Sequence, residues 1–245
     1  MAEDKPVEQP VEKRGEGERE KPKGKRLFVG VRVSVQTANA LASACETLQR
    51  RARDAKLDFK WVAPANYHVT LKFLGFTRED TIGAVRDALV EALRGAEPVK
   101  FRTARLGAFP SLDKSSVLWA GVEGTSGGSS SGGPLDDIAA RVERALVALG
   151  YPAEHRPFHA HVTLARLRET RAVKDLVLPL SEQMFSDSRI DGVTLFESET
   201  KSSGSVYHEL HRIIFKSAEN EPKRQTGALE LGDETDDGWP RNSGQ

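Results

Sequence analysis

His68-Val69-Thr70-Leu71 and His161-Val162-Thr163-Leu164 are the same four residues in the same order, one copy in each half of the chain. Both stand in β-branched surroundings that predict extended backbone. Successive strand side chains point to opposite faces. Val69 and Leu71 are therefore expected to face a core, leaving His68 and Thr70 together on the other face, and the same holds for His161 and Thr163. Each copy presents an imidazole beside a hydroxyl from a strand anchored by its apolar partners. Two such strands, from two similar half-domains facing across a cleft, would converge two histidines and two hydroxyls on one small ligand.

Around these motifs, strand-like and helix-like segments alternate. Arg26–Val33 reads as a buried strand, and Leu41, Ala44, Cys45 and Leu48 predict a helix from Gln36 to Arg53. Phe59–Val62 and Tyr67–Phe73 read as extended. Thr77-Arg78-Glu79-Asp80 resembles a capping box leading into a helix with Ile82, Val85, Leu89 and Leu93 on one face. Strands are expected at Val99–Leu106 and Ser116–Val122. Leu135, Ile138, Val142, Leu146 and Leu149 mark a third helix, stopped by Gly150. Further strands are expected at His161–Leu167, Arg189–Glu199 and Val206–Phe215. No strand is followed by a Gly-rich phosphate loop, so a dinucleotide-binding fold fits poorly. The pattern points to an α+β fold with mainly antiparallel strands.

The chain has 245 residues and equal numbers of basic and acidic side chains, 36 each. Residues 1–25 hold seven of each sign and almost no large apolar side chain, which predicts a neutral, disordered tail. Residues 218–245 form a second tail, also expected to be disordered, in which acids outnumber bases by four. The body, 26–217, carries the compensating excess of four bases, which suits a cleft for a phosphate terminus more than a protein that wraps long nucleic acid. Within it, the Gly/Ser stretch 124–133 reads as a flexible surface loop. No apolar run is long enough for a membrane-spanning helix, and the leading residues lack the apolar core of a secretory signal. A single cysteine, Cys45, forms no internal disulfide and is compatible with a reducing compartment. A cytoplasmic monomer with no membrane association is the expectation.

Histidine takes or gives a proton near neutral pH, and two of them serve as base and acid. Hydroxyls donate to the non-bridging oxygens of a phosphate. A reaction suited to two histidines without a metal is attack on a strained phosphodiester. One neutral imidazole activates water while the other, protonated, gives its proton to the leaving oxygen.

His68-Val69-Thr70-Leu71-Lys72-Phe73-Leu74-Gly75 and Phe158-His159-Ala160-His161-Val162-Thr163-Leu164-Ala165-Arg166 resemble the two signatures of the two-histidine (2H) phosphoesterases. The resemblance is to the bacterial branch of RNA 2′,3′-cyclic phosphodiesterases, also called 2′-5′ RNA ligases. It extends over about residues 26–216, through Arg26-Leu27-Phe28-Val29, Leu118-Trp119-Ala120-Gly121-Val122 and the stretch from Leu195 to Leu210. It implies a bilobal, pseudo-twofold fold whose antiparallel sheets line a central cleft, with helices packed outside. It implies hydrolysis of an RNA 2′,3′-cyclic phosphate to a 2′-phosphate without metal or other cofactor, and a reverse 2′-5′ ligase activity that joins tRNA halves. The partners implied are RNA 3′ ends bearing the cyclic phosphate, or cyclic nucleotides. By the match, His68 and His161 are the acid–base pair, with His68 leaning to acid and His161 to base. Thr70 and Thr163 hold the phosphate, Arg166 contacts phosphate or nucleotide, and Phe73 stacks on a base. Ala160 stands where relatives commonly carry proline, and the Gly/Ser stretch reads as an insertion.

Strict alternation sets one obstacle. It places Phe73 and Arg166 on the face opposite the histidines, so their roles require the strand to end or bulge before them. Several side chains have plainer readings beside the functional ones. His155, His159 and His161 could suggest a metal site, but no cysteine or third-ligand pattern supports it. His208 and His211 read as strand-surface residues, Tyr207 as an ordinary sheet tyrosine or a residue lining the cleft, Lys72 as a solvated lysine or an attractor of RNA, and Cys45 as core. Two other functions fit the same residues: a module that binds a phosphorylated RNA end without turnover, and a related enzyme acting on a 2′-5′ oligonucleotide or a cyclic sugar phosphate.

Overall fold

Repeated short apolar runs punctuated by helices build one antiparallel sheet with helices on one side. The structure, a computed structural model, describes residues 23–125, 133, 135–201 and 204–215. In chain order the elements are β1 (Gly24–Arg32), α1 (Val35–Asp54), β2 (Phe59–Trp61), β3 (His68–Arg78), α2 (Ile82–Ala92), β4 (Val99–Pro110) and β5 (Ser115–Gly124). They continue with α3 (Asp136–Ala148), β6 (His161–Arg171), α4 (Lys174–Val177), β7 (Met184–Ile190), β8 (Gly192–Lys201) and β9 (Gly204–Ile214).

The sheet runs β7-β4-β5-β6-β3-β1-β8-β9, with β2 added on β6. Outward from the β6–β3 join the order is symmetric. β5 answers β1, β4 answers β8, and β7 answers β9. The helix-bearing connections match too, since α1 lies between β1 and β3 and α3 between β5 and β6. This is the α+β, antiparallel, pseudo-twofold architecture the sequence predicts. The two halves form a single sheet, because Val69 of β3 pairs with Val162 of β6.

The helices cover the face opposite the histidines. Val69, Leu71, Val162 and Leu164 point into one core with Leu41 and Leu48 of α1, Leu89 of α2 and Leu146 of α3. Each fully buried leucine contributes about 1.5–3 kcal/mol from area removed from water. The Ser34 side chain caps α1 by accepting from the Thr37 amide at 3.1 Å. α3 ends at Gly150, whose φ of +90° is one that residues with a Cβ rarely adopt. No helix among the described residues is long and apolar enough to cross a membrane.

Three expectations are corrected. Strand β3 continues to Arg78, so Thr77 is a buried strand residue whose hydroxyl accepts from Tyr151 at 3.2 Å. The capping box therefore does not form, and Thr81 precedes α2 with its hydroxyl donated to the Arg78 carbonyl at 2.8 Å. The single strand expected at Arg189–Glu199 is two, broken at Asp191. Gly192 lets β8 approach β9 there, since a Cβ on it would lie 2.4 Å from the Ile213 carbonyl oxygen. Strand β1 begins at Gly24, two residues inside the expected tail, and Lys25 pairs with Glu197 at 2.6 Å. Residues 1–22 and 218–245 of the expected tails, and residues 126–132 of the Gly/Ser stretch, lie outside the described residues.

Candidate functional site

The repeated motifs meet at the sheet's centre. Continuing the antiparallel register of Val69 and Val162 by one residue each way sets His68 beside Thr163 and Thr70 beside His161. All four side chains are on the face away from the helices, because the valines between them are buried.

Each motif then bulges at its leucine. Leu71 is passed over where Lys72 and Thr70 pair with Val29 and Gly30. Leu164 is passed over where Ala165 and Thr163 pair with Leu118 and Trp119. Two consecutive residues, Leu71-Lys72 and Leu164-Ala165, thus point toward the core, and the next residue returns to the histidine face. These residues are Phe73 and Arg166. The break that their proposed roles require is present, and it occurs at the same place in both copies.

Phe73 and Arg166 line a cavity of about 190 Å³ together with His68, Thr70 and Thr163. Five of the six residues singled out from sequence therefore share one wall. His161 is not part of that wall. It stands two residues from Thr163 on the same strand face, beside the packed rings of Phe109 at 5.0 Å and Trp119 at 6.4 Å, ring centre to ring centre. The cavity also takes in Arg26, Phe28, Val62, Ser198 and Tyr207. Phe28 is buried, as its strand pattern predicts, and Tyr207 takes the cleft-lining one of its two readings. Both pack against His68, at 4.8 and 5.1 Å between ring centres. Sequence reasoning passed over Arg32. It is the β1 partner of His68, donates to the Ala65 carbonyl at 3.0 Å, pairs with Glu209, and lies over the Phe196 ring at 5.1 Å.

Lys72 is neither solvated nor free to attract RNA. Because the bulge turns it inward, it is buried and bonded to Glu143 of α3 at 2.7 Å and to the Pro152 carbonyl at 2.8 Å. His208 and His211 are surface strand residues, and Cys45 is buried beside the Tyr67 hydroxyl at 3.3 Å. His159 packs edge-on against Trp119, 4.9 Å from its ring centre. Among the described residues no group of three or more His, Cys, Asp or Glu is placed to hold a metal ion.

The two imidazoles are held alike. His68 Nδ1 is 2.7 Å from the Asn66 carbonyl and His161 Nδ1 is 2.7 Å from the His159 carbonyl. A carbonyl only accepts, so Nδ1 carries the proton in each neutral ring and Nε2 is left as the acceptor. His68 Nε2 receives the Thr70 hydroxyl at 3.0 Å. Burial, chiefly, pushes His68 down to about 4. The Asn66 carbonyl opposes that shift, while Arg32, His161 and Arg166 add to it. His161 is lowered too, by burial first and then by His159 and Arg166, against the His159 carbonyl. Both rings are therefore neutral at neutral pH before a ligand arrives.

The halves differ where they matter to shape. Gly30 stands opposite Thr70, and Trp119 occupies the corresponding place opposite Thr163. A Cβ on Gly30 would lie 2.8 Å from the Val69 carbonyl oxygen and 3.5 Å from the His68 ring. Gly30 thus lets the backbone and the Phe28 and His68 rings close up there, the cavity lies on the His68 side, and an indole stands near His161 at 6.4 Å.

A pseudo-twofold antiparallel sheet bearing one His-x-Thr pair from each half is the architecture of the two-histidine phosphoesterases. The family model described as "LigT like Phosphoesterase" matches residues 35–119 and 129–207, and the chain belongs to that family. It is 32% identical over 157 residues to the RNA 2′,3′-cyclic phosphodiesterase of Aeropyrum pernix, covering 63% of this chain and 85% of the relative. It is 28% identical over 185 residues to the enzyme of the same name from Aquifex aeolicus, covering 74% and 93%. Among solved structures, TT0787 of Thermus thermophilus superposes with a TM-score of 0.63 at 23% identity, covering 78% of this chain and 97% of the other. Escherichia coli LigT complexed with 3′-AMP superposes at 0.58 and 21%, covering 80% and 100%. These two likenesses establish the fold.

Proposed function

We propose that this protein is an RNA 2′,3′-cyclic phosphodiesterase that opens a terminal cyclic phosphate to a 2′-phosphate, with His68 and His161 as its acid–base pair. The observation that carries the reading is the placement of two fixed-tautomer imidazoles and two hydroxyls on one sheet face. The names of the Aeropyrum and Aquifex relatives support the same substrate.

The phosphate sits between Thr70 and Thr163, with Arg166 at hand to balance its charge. The in-line geometry of the displacement then distributes the two histidines. Water must attack from the side opposite the leaving 3′ oxygen, and that oxygen belongs to the ribose. The open space and aromatic rings beside His68 suit the nucleoside, with Phe73 as a stacking surface for the base. His68 therefore protonates the 3′ oxygen, and His161, on the far side, takes the proton from water. The new P–O bond comes from water and the P–O3′ bond breaks, leaving the 2′ ester intact. An anionic phosphate in the cleft favours the protonated ring, offsetting the desolvation that lowers His68 in its absence. The same steps with an RNA 5′ hydroxyl in place of water form a 2′-5′ linkage, the 5′ oxygen bonding to phosphorus as the P–O3′ bond breaks. The reading includes a cytoplasmic monomer working on RNA 3′ ends.

The test is incubation with a 2′,3′-cyclic mononucleotide, with product analysis in the presence and absence of a chelator. A 2′-phosphate formed equally in both is expected. A 3′-phosphate, or no product, overturns the reading.

A further inference from the structure

Strand β3 carries a second exposed aromatic residue beyond the cavity. Phe73 is 68% exposed and Phe76 is 58% exposed. Phe76 lies opposite Arg26 in the β1 pairing, and Arg26 lines the cavity. A Cβ on Gly24 would lie 2.4 Å from the tip of the Phe76 ring, so the ring occupies the place of a side chain on β1 and is steadied there. Phe76 is three strand residues past Phe73, roughly 10 Å along the strand.

The facing wall is basic. Lys60 of β2 is the register partner of Arg166 of β6, and both are exposed. Lys60 shares its strand face with Val62, which lines the cavity. Among the described residues Arg26, Lys60 and Arg166 make no ion pair, although the chain forms many elsewhere. Rings interleaved with uncommitted cations, continuous with a cavity that ends at a histidine, have the chemistry that holds single-stranded nucleic acid. Rings stack bases and cations hold the linking phosphates.

We infer that this surface is a track for a second nucleotide: the base 5′ to the terminal nucleotide stacks on Phe76, and the phosphate between the two is held by Arg26 and Lys60. The inference rests on the proposed function, since it extends the same site, and it adds a place for the penultimate nucleotide.

The experiment compares kcat/KM on a 2′,3′-cyclic mononucleotide and on a trinucleotide ending in the same cyclic phosphate, for the full chain and for Phe76→Ala, Phe76→Trp and Lys60→Ala. The wild type is expected to prefer the trinucleotide. Phe76→Ala should lower trinucleotide kcat/KM by roughly 5- to 100-fold, leave the mononucleotide within twofold, and be restored by Phe76→Trp. Lys60→Ala should flatten the salt dependence of trinucleotide binding by about 0.7 in log–log slope. Equal use of both substrates by the wild type overturns the track. So does an equal loss on both, or no loss on either, in Phe76→Ala; the face is then structural or covered by other residues of the chain. Fluorescence titration with a trinucleotide 2′-phosphate against a nucleoside 2′-phosphate reads the track without turnover. If no substrate is hydrolysed, the proposed function fails while this binding difference still decides the inference.

Discussion

Val69 and Val162 stand opposite each other as antiparallel partners where the two halves of the sheet join. That register places a hydroxyl from one half beside an imidazole from the other. In the proposed reaction Thr70 and Thr163 hold one phosphate, Thr70 turning its hydroxyl from His68 Nε2 to do so, and removing either should lose transition-state stabilisation. Thr70→Val and Thr163→Val are each expected to lower kcat roughly 100-fold, measured on the cyclic mononucleotide. An unchanged kcat in both variants would remove the hydroxyls from the reaction.

Alanine at His68 or at His161 should slow turnover by about 10²- to 10⁴-fold while circular dichroism is preserved. The two variants are distinguished by a substrate whose 3′ leaving oxygen is replaced by sulfur, which departs without a proton. His68→Ala should regain most of its lost rate on that substrate, and His161→Ala should not. Rescue of His161→Ala instead would exchange the acid and the base.

Acid should destabilise the fold through His68. Its folded value is about 4, against 6.5 for the free side chain, so the unfolded chain binds the proton first as pH falls. The contribution is complete above pH 6.5 and is lost as pH drops through 4, amounting to up to about 3 kcal/mol. His161 is shifted in the same direction. Urea midpoints at pH 7.5, 5.5 and 4 measure the fall, and His68→Asn should show a shallower one. Parallel curves for the two proteins would show that His68 titrates normally.

Lys72 ties the first motif to the loop that leads into the second. Its side chain is 4% exposed and that of Glu143 is 28% exposed, and Glu143 also accepts from the Glu154 amide at 2.9 Å. Lys72→Met should cost roughly 2–4 kcal/mol, below the cost for a fully buried pair because Glu143 reaches solvent. Lys72→Met combined with Glu143→Leu should recover part of that loss in the same denaturation experiment. A neutral single variant would mean the pair contributes nothing.

What could be read in the sequence was whatever depends on neighbours along the chain. The helical spacing of Leu41, Ala44, Cys45 and Leu48, and the alternation around both His-x-Thr motifs, are local patterns, and each appears where expected. Features set by a neighbouring strand were hidden. The bulges at Leu71 and Leu164 exist in the pairing with β1 and β5, so counting along one strand sends Phe73 and Arg166 the wrong way. Lys72 looked solvated for the same reason, since its acid partner is on α3. That Phe28 and Tyr207 pack on His68 and on each other depends on three different strands, and so could not be read along any one of them. The Thr77 capping signal was overridden because β3 outlasts it and buries Thr77 against Tyr151.

The exchange of Gly30 for Trp119 at matching places opposite the two threonines has a further consequence. A repeated half-domain would by itself make a cleft that reads the same from either end, and a substrate could enter it in two senses. With the cavity on the His68 side and an indole on the His161 side, the cleft has a front and a back. Duplication supplies two like pairs of polar groups, and departures from likeness such as this one give the pair a direction.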